Sequence, residues 1–273
     1  ATLAACAAQA QTDVVRLGVS NDRSGIYSDL GGLGSETAVR MAVEDFGGKV
    51  AGKTVEVVGA DNQNKADVAS ALVRRWFDTQ NLVAVVDGGA SSAGLAAQGV
   101  AREKGGTALI SGGFAGDFSG KQCSNLSTQW APDTYALANA VVKSVVESGG
   151  KSWYFITTDY VFGKSLESNA SRFVEAAGGK VVGSTRHPLG AMDFASFLIQ
   201  AQSSKSDVVG LASAGGDLVN LIKQAQEFGL AGGKQRMLTF LTFINDVHAM
   251  GLPVAQGLTF PTGFYWDADE DTR

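Results

Sequence analysis

Two cysteines and two histidines in 273 residues are too few, and too widely separated, to compose a zinc site. Disulfide bonding is excluded on similar grounds, because removal or lipidation of Cys6 leaves Cys123 as the only thiol. No run of eighteen apolar residues exists, which rules out a membrane-spanning helix. Charge is also scarce: charged residues make up 18% of the chain, and 22 basic against 27 acidic side chains leave a net charge of -5 without any long block of one sign. Nothing in that balance attracts nucleic acid or an anionic membrane. With only 4 prolines against 35 glycines, the chain has the punctuation of many short loops joining strands to helices.

What is present is material for packed cores. Apolar residues reach 45%, and the length gives a prior of about two domains. The first eleven residues, ATLAACAAQAQ, differ from everything after them. Ala8-Gln9-Ala10 fits the small-x-small rule for signal cleavage, while Leu3-Ala4-Ala5-Cys6 has the shape of a lipoprotein box in which Cys6 would carry the lipid. An expression scar or frayed terminus is the plain alternative; either processed form implies export.

From residue 14 strands alternate with helices, which argues α/β architecture with parallel sheets flanked by helices. After a strand at 14–20, Val39, Ala42, Val43 and Phe46 recur at helical spacing, followed by Gly47-Gly48 and a strand at 54–60. Ala69, Leu72, Val73 and Trp76 repeat that spacing, then come a strand at 82–86, a helix at 91–104 and a strand at 107–111. Pro132 and Asp133 start a fresh helix carrying Leu137, Val141 and Val145. The segment WYFITTDYVFGKSLESNASRFVEAAGGKVVG, 153–183, repeats the opening strand, loop, helix, strand plan, so two similar lobes are expected. Further strands are expected at 181–185, at 207–213 and near Met237 and Leu258. The intervening helices carry Phe194, Phe197, Leu198 and Ala201, then Leu221, Ile222, Ala225 and Phe228. The organisation read from the chain is a leader at 1–13, one lobe at 14–131, a second at 132–264, and residues 265–273 turning back.

Catalytic motifs fail on inspection. Residues 158–165, TDYVFGKS, end like a phosphate loop but place Thr158 where glycine is required and crowd the backbone with Tyr160 and Phe162. Residues 89–93, GASSA, lack the closing glycine of a nucleophile elbow, and the only bases for a serine hydrolase, His187 and His248, read as surface histidines, which leaves an exported serine hydrolase using Ser91 or Ser92 as the lesser alternative function. Gly31, Gly32 and Gly34 do not follow the order of a dinucleotide loop. No cofactor or metal is indicated.

Loops at the carboxyl ends of strands remain, the place where open parallel sheets hold ligands. Ser91 and Ser92 begin a helix, and either offer hydroxyls and free amides to a carboxylate or simply cap it. Residues 111–116, SGGFAG, either expose backbone amides or only permit a tight turn. Tyr160 and Phe162 form a ligand wall or pack in a core. Asp217, after Gly215-Gly216, faces a ligand cation or caps its own helix.

GVSNDRSGIYSDLGGLGSETAVRMAVEDF, GGASSAGLA, ISGGFAGDFSGKQCSN, DYVFGKSLE and GGDLVNLIKQA together resemble the type I periplasmic solute-binding proteins of ABC importers, in the branch that includes leucine/isoleucine/valine-binding proteins. The resemblance runs from Val14 onward. It implies two lobes joined by crossing strands, closing on a small carboxylate-bearing ligand such as a branched-chain or other hydrophobic amino acid. It further implies a monomer in the periplasm with a membrane permease as partner, and no catalysis. Carried onto this chain, the hydroxyl at the helix start falls on Ser91 or Ser92, backbone contacts on Gly113 and Ala115, an aromatic on Phe162 with Tyr160 beside it, the acid for an amino group on Asp217, and a cleft aromatic on Tyr27. Amino-acid binders carry threonine where this chain has Ala115 and tyrosine where it has Phe162. The chain is also similar to branch members that bind aromatic acids, so a benzoate derivative is the competing ligand. Members continue beyond an ending like FYWDADEDTR, so the C-terminus reads as incomplete, with an exposed apolar patch or a covering neighbour expected on the first lobe.

Overall fold

The computed structural model describes residues 14–230 and 232–273. The leader readings, Cys6 included, lie outside the described residues. In chain order the elements are β1 (Val14–Asn21), α1 (Gly32–Asp45), β2 (Lys49–Val50), β3 (Lys53–Asp61), α2 (Ala66–Thr79), β4 (Leu82–Asp87), α3 (Ser91–Lys104), β5 (Thr107–Ile110) and β6 (Ser127–Gln129). They continue with α4 (Thr134–Glu147), β7 (Ser152–Thr158), α5 (Val161–Ala176), β8 (Lys180–His187), α6 (Ala195–Ser203), β9 (Val208–Ala212), α7 (Gly215–Glu227), β10 (Arg236–Thr239), α8 (Ile244–Met250) and α9 (Leu252–Ala255).

Two sheets result. The first has the order β2-β3-β1-β4-β5-β6, parallel apart from the short antiparallel β2, and the second has the order β10-β9-β7-β8, parallel throughout. In each lobe the opening strand lies between two strands that follow it in sequence, β1 between β3 and β4 and β7 between β8 and β9. The direction of winding therefore reverses beside that strand, and the loops leaving its carboxyl end diverge to open a crevice. Register carries specific residues there: Asn21 pairs with Asp61, and Ser20 with Asp87.

Local chemistry explains most elements. Ala69, Leu72, Val73 and Trp76 of α2 are buried as their spacing requires, and Asp133 caps α4 by accepting from Ala136 N–H at 2.8 Å. Strand β7 divides its side chains by the period of two: Trp153 and Phe155 enter a core shared with α4 and α5, while Tyr154 and Ile156 enter one shared with α6 and α7. Fully burying a side chain such as Phe155 contributes about 1.5–3 kcal/mol.

Three expectations need correction. The stripe on α1 is not a core face: Val39 and Val43 are half-buried, Ala42 is exposed and Phe46 is 73% exposed, since no described element packs over that side. Met41 and Leu33 are exposed with it. The strand near Leu258 is only a single bridge, between Leu238 and Thr259. His187 is buried rather than superficial, because it ends β8 with its ring edge-on to Phe194 and Phe197. Strand β6, by contrast, has no apolar pattern to announce it; it is held by pairing with β5, Ile110 opposite Gln129, and by the Gln129 side chain.

Candidate functional site

The loops after β1, β4, β5, β7 and β9 converge on a cleft of about 480 Å³ between the lobes. Its first-lobe side is polar and close to backbone, with Asn21, Asp87, Ser91, Ser111 and Gly112. Its second-lobe side is apolar, with Tyr160, Phe162, Ala214, Leu241 and Phe243. Tyr27 and Leu30 reach across from the first lobe, and Trp130, Pro132 and Phe264 close another side.

Ser91 is the first helical residue of α3, and the cap position belongs to Ala90, so the serine does not cap its own helix. Its Oγ instead accepts from the amides of Phe114 at 3.3 Å and Ala115 at 3.1 Å. Two N–H groups directed at that oxygen leave its own O–H free to donate toward the cleft. The same bonds take the Phe114 and Ala115 amides out of service, and Gly112 N–H is engaged by Asp87 O at 3.1 Å. Of the 111–116 loop, Ser111, Gly112 and Phe114 line the cleft, whereas Gly113 and Ala115 do not. Ala115 is turned inward against Phe118 and Ile110, and Gln129 binds the carbonyls of both Gly113 and Ala115. Ser92 is half-buried and also does not line the cleft, being one residue further round α3.

Tyr27 and Tyr160 meet across the cleft, hydroxyl to hydroxyl, at 2.8 Å. Burial, above all, pushes both phenols up from their ordinary range, so both are neutral at physiological pH. The lobes touch again where Gly216 N–H donates to Ile26 O at 2.9 Å, where Asn245 binds Asp29 O, and where Thr134 N–H donates to Phe114 O at 2.8 Å. Gly215, at φ 57°, permits this approach: a Cβ there would stand 2.6 Å from Ile26 O. Phe162, buried at the start of α5, makes an edge-on contact with Phe114 of the other lobe.

Asp217 lies in the first turn of α7, 1% exposed, but does not line the cleft. It caps nothing either. Gly190 N–H donates to its Oδ2 at 2.9 Å, its Oδ1 has no partner among the described residues, and burial raises its pKa to about 6. The residues that sequence reasoning missed are Asn21, Asp87, Leu241 and Phe243. Asp87 closes an otherwise apolar strand, and its φ of 78° on a residue other than glycine is the one local sign of an unusual position. Neither histidine shares a hydrogen bond with Ser91: His187 lies against Thr158 Oγ1 at 3.2 Å and Pro188 O at 2.9 Å, and His248 is exposed on α8.

Two doubly wound lobes clasping a cleft at their switch points define a protein that encloses a small solute. The chain matches the family described as Periplasmic binding protein over residues 14–273, and it belongs to that family. It is similar to a periplasmic binding protein from Burkholderia mallei, with 48% identity and a TM-score of 0.91 over 95% of this chain and 69% of that one. It is also similar to a branched chain amino acid ABC transporter periplasmic ligand-binding protein from Burkholderia xenovorans LB400, with 35% identity and a TM-score of 0.78 over 94% of this chain and 69% of that one. A solute-binding protein from R. palustris in complex with benzoate shares the fold at 22% identity, with a TM-score of 0.84 over 93% of this chain and 70% of that one. No curated protein matches. The chain is thus a solute-binding protein of the ABC-transporter type, and the family's place is the periplasm.

Proposed function

We propose that the protein captures a small carboxylate-bearing solute, in the first instance a branched-chain or other hydrophobic amino acid, and delivers it to a membrane permease. The observation that carries this reading is the division of the cleft. Ser91, with its hydroxyl proton unclaimed by the protein, stands on the polar first-lobe side, while Phe162, Leu241 and Phe243 offer apolar surface opposite. A carboxylate on the serine leaves an aliphatic or aromatic body against the second lobe. Tyr27 and Tyr160 then close over it. The branched-chain relative at 35% identity supports the amino-acid reading.

An aromatic acid is the second reading, favoured by the rings of Phe114, Tyr160 and Phe162, which lie with centroids 6.4 and 6.0 Å apart around Phe162. Calorimetric titration with leucine, isoleucine, valine, benzoate and 4-hydroxybenzoate tests both. Heat from one class assigns it; flat traces with all five would sink the proposal.

A further inference from the structure

Among the residues lining the cleft there are two carboxylates, Asp22 and Asp87, and no lysine, arginine or histidine. The two acids are not equivalent. Asp22 is saturated by its own loop and the one after β3: its Oδ1 accepts from Ser24 and Gly25 N–H, and its Oδ2 from Tyr27 N–H and Asn64 Nδ2. Asp87 receives a single side-chain bond, from Asn21 Nδ2 to Oδ2 at 2.8 Å. Its Oδ1 has no donor among the described residues and yet is not sealed from the cleft, unlike Oδ1 of Asp217. Asp87 is 2% exposed and makes no ion pair among the described residues.

The surroundings are built to hold that carboxylate in one orientation. Asn21 Nδ2 donates to Gly32 O at 2.7 Å as well as to Asp87, and its Oδ1 accepts from Arg23 Nε at 3.3 Å, which fixes the way the amide points. Arg23 itself is paired with Glu36 at 2.6 Å, so its charge is spent elsewhere. Glycines flank the acid on both sides: a Cβ on Gly112 would come within 1.9 Å of Asp87 Oδ1, and one on Gly31 within 3.1 Å of Oδ2. A buried carboxylate that is oriented, unpaired and turned to a cleft is costly unless something cationic meets it.

We propose that Asp87 receives the α-ammonium group of the ligand, making it the specificity-determining residue that separates amino acids from simple carboxylic acids. Asp87 and Ser91 stand at the two ends of the short β4–α3 connection and line the same cleft. An α-amino acid carries its cation and its anion on a single carbon, so an acceptor and a donor supplied by one loop match it. A site built around such a polar group rejects the analogue that lacks it. The assignment transfers to the first lobe the role that the family resemblance gave to Asp217.

This inference rests on the amino-acid reading above, and the experiment separates the two. Titrate the wild type with leucine and with 4-methylpentanoate, which is leucine without its amino group, then repeat with Asp87→Asn and Asp217→Asn. Asparagine keeps an oxygen for Asn21, so the fold is retained, and an unliganded melting curve checks it. The expected result is at least a tenfold preference of the wild type for leucine. Asp87→Asn should erase that preference by weakening leucine ten- to a hundredfold while leaving 4-methylpentanoate unchanged or tighter, and Asp217→Asn should shift both ligands by one common factor. Equal wild-type affinity for the pair overturns the assignment without any variant, as does loss of the preference in Asp217→Asn alone or an equal loss of both ligands in Asp87→Asn. Absence of binding to either ligand, with heat from benzoate, instead overturns the amino-acid reading itself.

Discussion

The two lobes share a winding order but differ in how they are covered and in what they bring to the cleft. The second sheet is packed on both faces, with the Trp153 and Phe155 core on one side and the Tyr154 and Ile156 core on the other. The first sheet has one dense core, under α2 and α3, while α1 on the other side buries only Gly32. The cleft reverses the emphasis: the thinly covered lobe supplies the directional polar groups and the well-packed lobe supplies apolar wall. Stability and recognition are therefore drawn from different halves of the chain.

That contrast can be broken most forcefully in the cores. Phe155→Ala should cost about 3–5 kcal/mol, by lost transfer and an unfilled cavity, whereas Phe46→Ala on the exposed end of α1 should stay within about 0.5 kcal/mol. Chemical denaturation of both variants measures the gap, and a costly Phe46→Ala would mean that the α1 face is covered in solution. Next in size is Ser91→Ala, which removes the donor proposed for the ligand carboxylate and should weaken binding by about 1.5–3 kcal/mol in calorimetry. Tyr160→Phe follows: it deletes the hydroxyl bridge between lobes while keeping the ring, and should weaken binding by about 0.5–1.5 kcal/mol, mostly through faster release in stopped-flow measurements.

The smallest effect sharpens the comparison through pH. Burial raises Asp217 and Asp246 of the second lobe to about 6, against an ordinary 3.8. Their folded forms hold protons that the unfolded chain releases, so their contribution is greatest below 3.8 and is lost as pH climbs through about 6. In the first lobe, burial alone would raise Glu36, but hydrogen bonds from Arg40 and Arg23 hold it below its ordinary 4.5. Its contribution is present above 4.5 and is lost as pH falls further. The double variant Asp217→Asn, Asp246→Asn should flatten the decline in melting temperature between pH 4 and 6, while Glu36→Gln should flatten the decline below 4.5. An unchanged profile in either would mean that the respective carboxyl is not so perturbed.

Much of the architecture was legible because periodicity and caps are local. The stripe of α2, the bounds of α3 and the plan repeated from Trp153 all follow from spacing and punctuation. The α1 stripe misled because amphipathicity states only that a face is apolar, not that anything packs on it. Of the candidate site, Tyr27, Ser91, Tyr160 and Phe162 were within reach, since they sit on loops at strand ends. Asn21 and Asp87 were not: each closes a strand, and they become neighbours only when β1 is inserted beside β4, bringing together residues 66 apart. Asp217 shows the limit of such punctuation, because a position after a glycine pair does not reveal which way the side chain turns.

The hydroxyl pair of Tyr27 and Tyr160 has a further consequence. It is a clasp without charge, in which either phenol can be the donor and neither ionises in the physiological range. Screening by dissolved ions, which weakens surface ion pairs, has little hold on it. The grip of one lobe on the other through this pair should be the same in dilute and in concentrated salt, leaving release to depend on the solute and the transporter rather than on the surrounding medium.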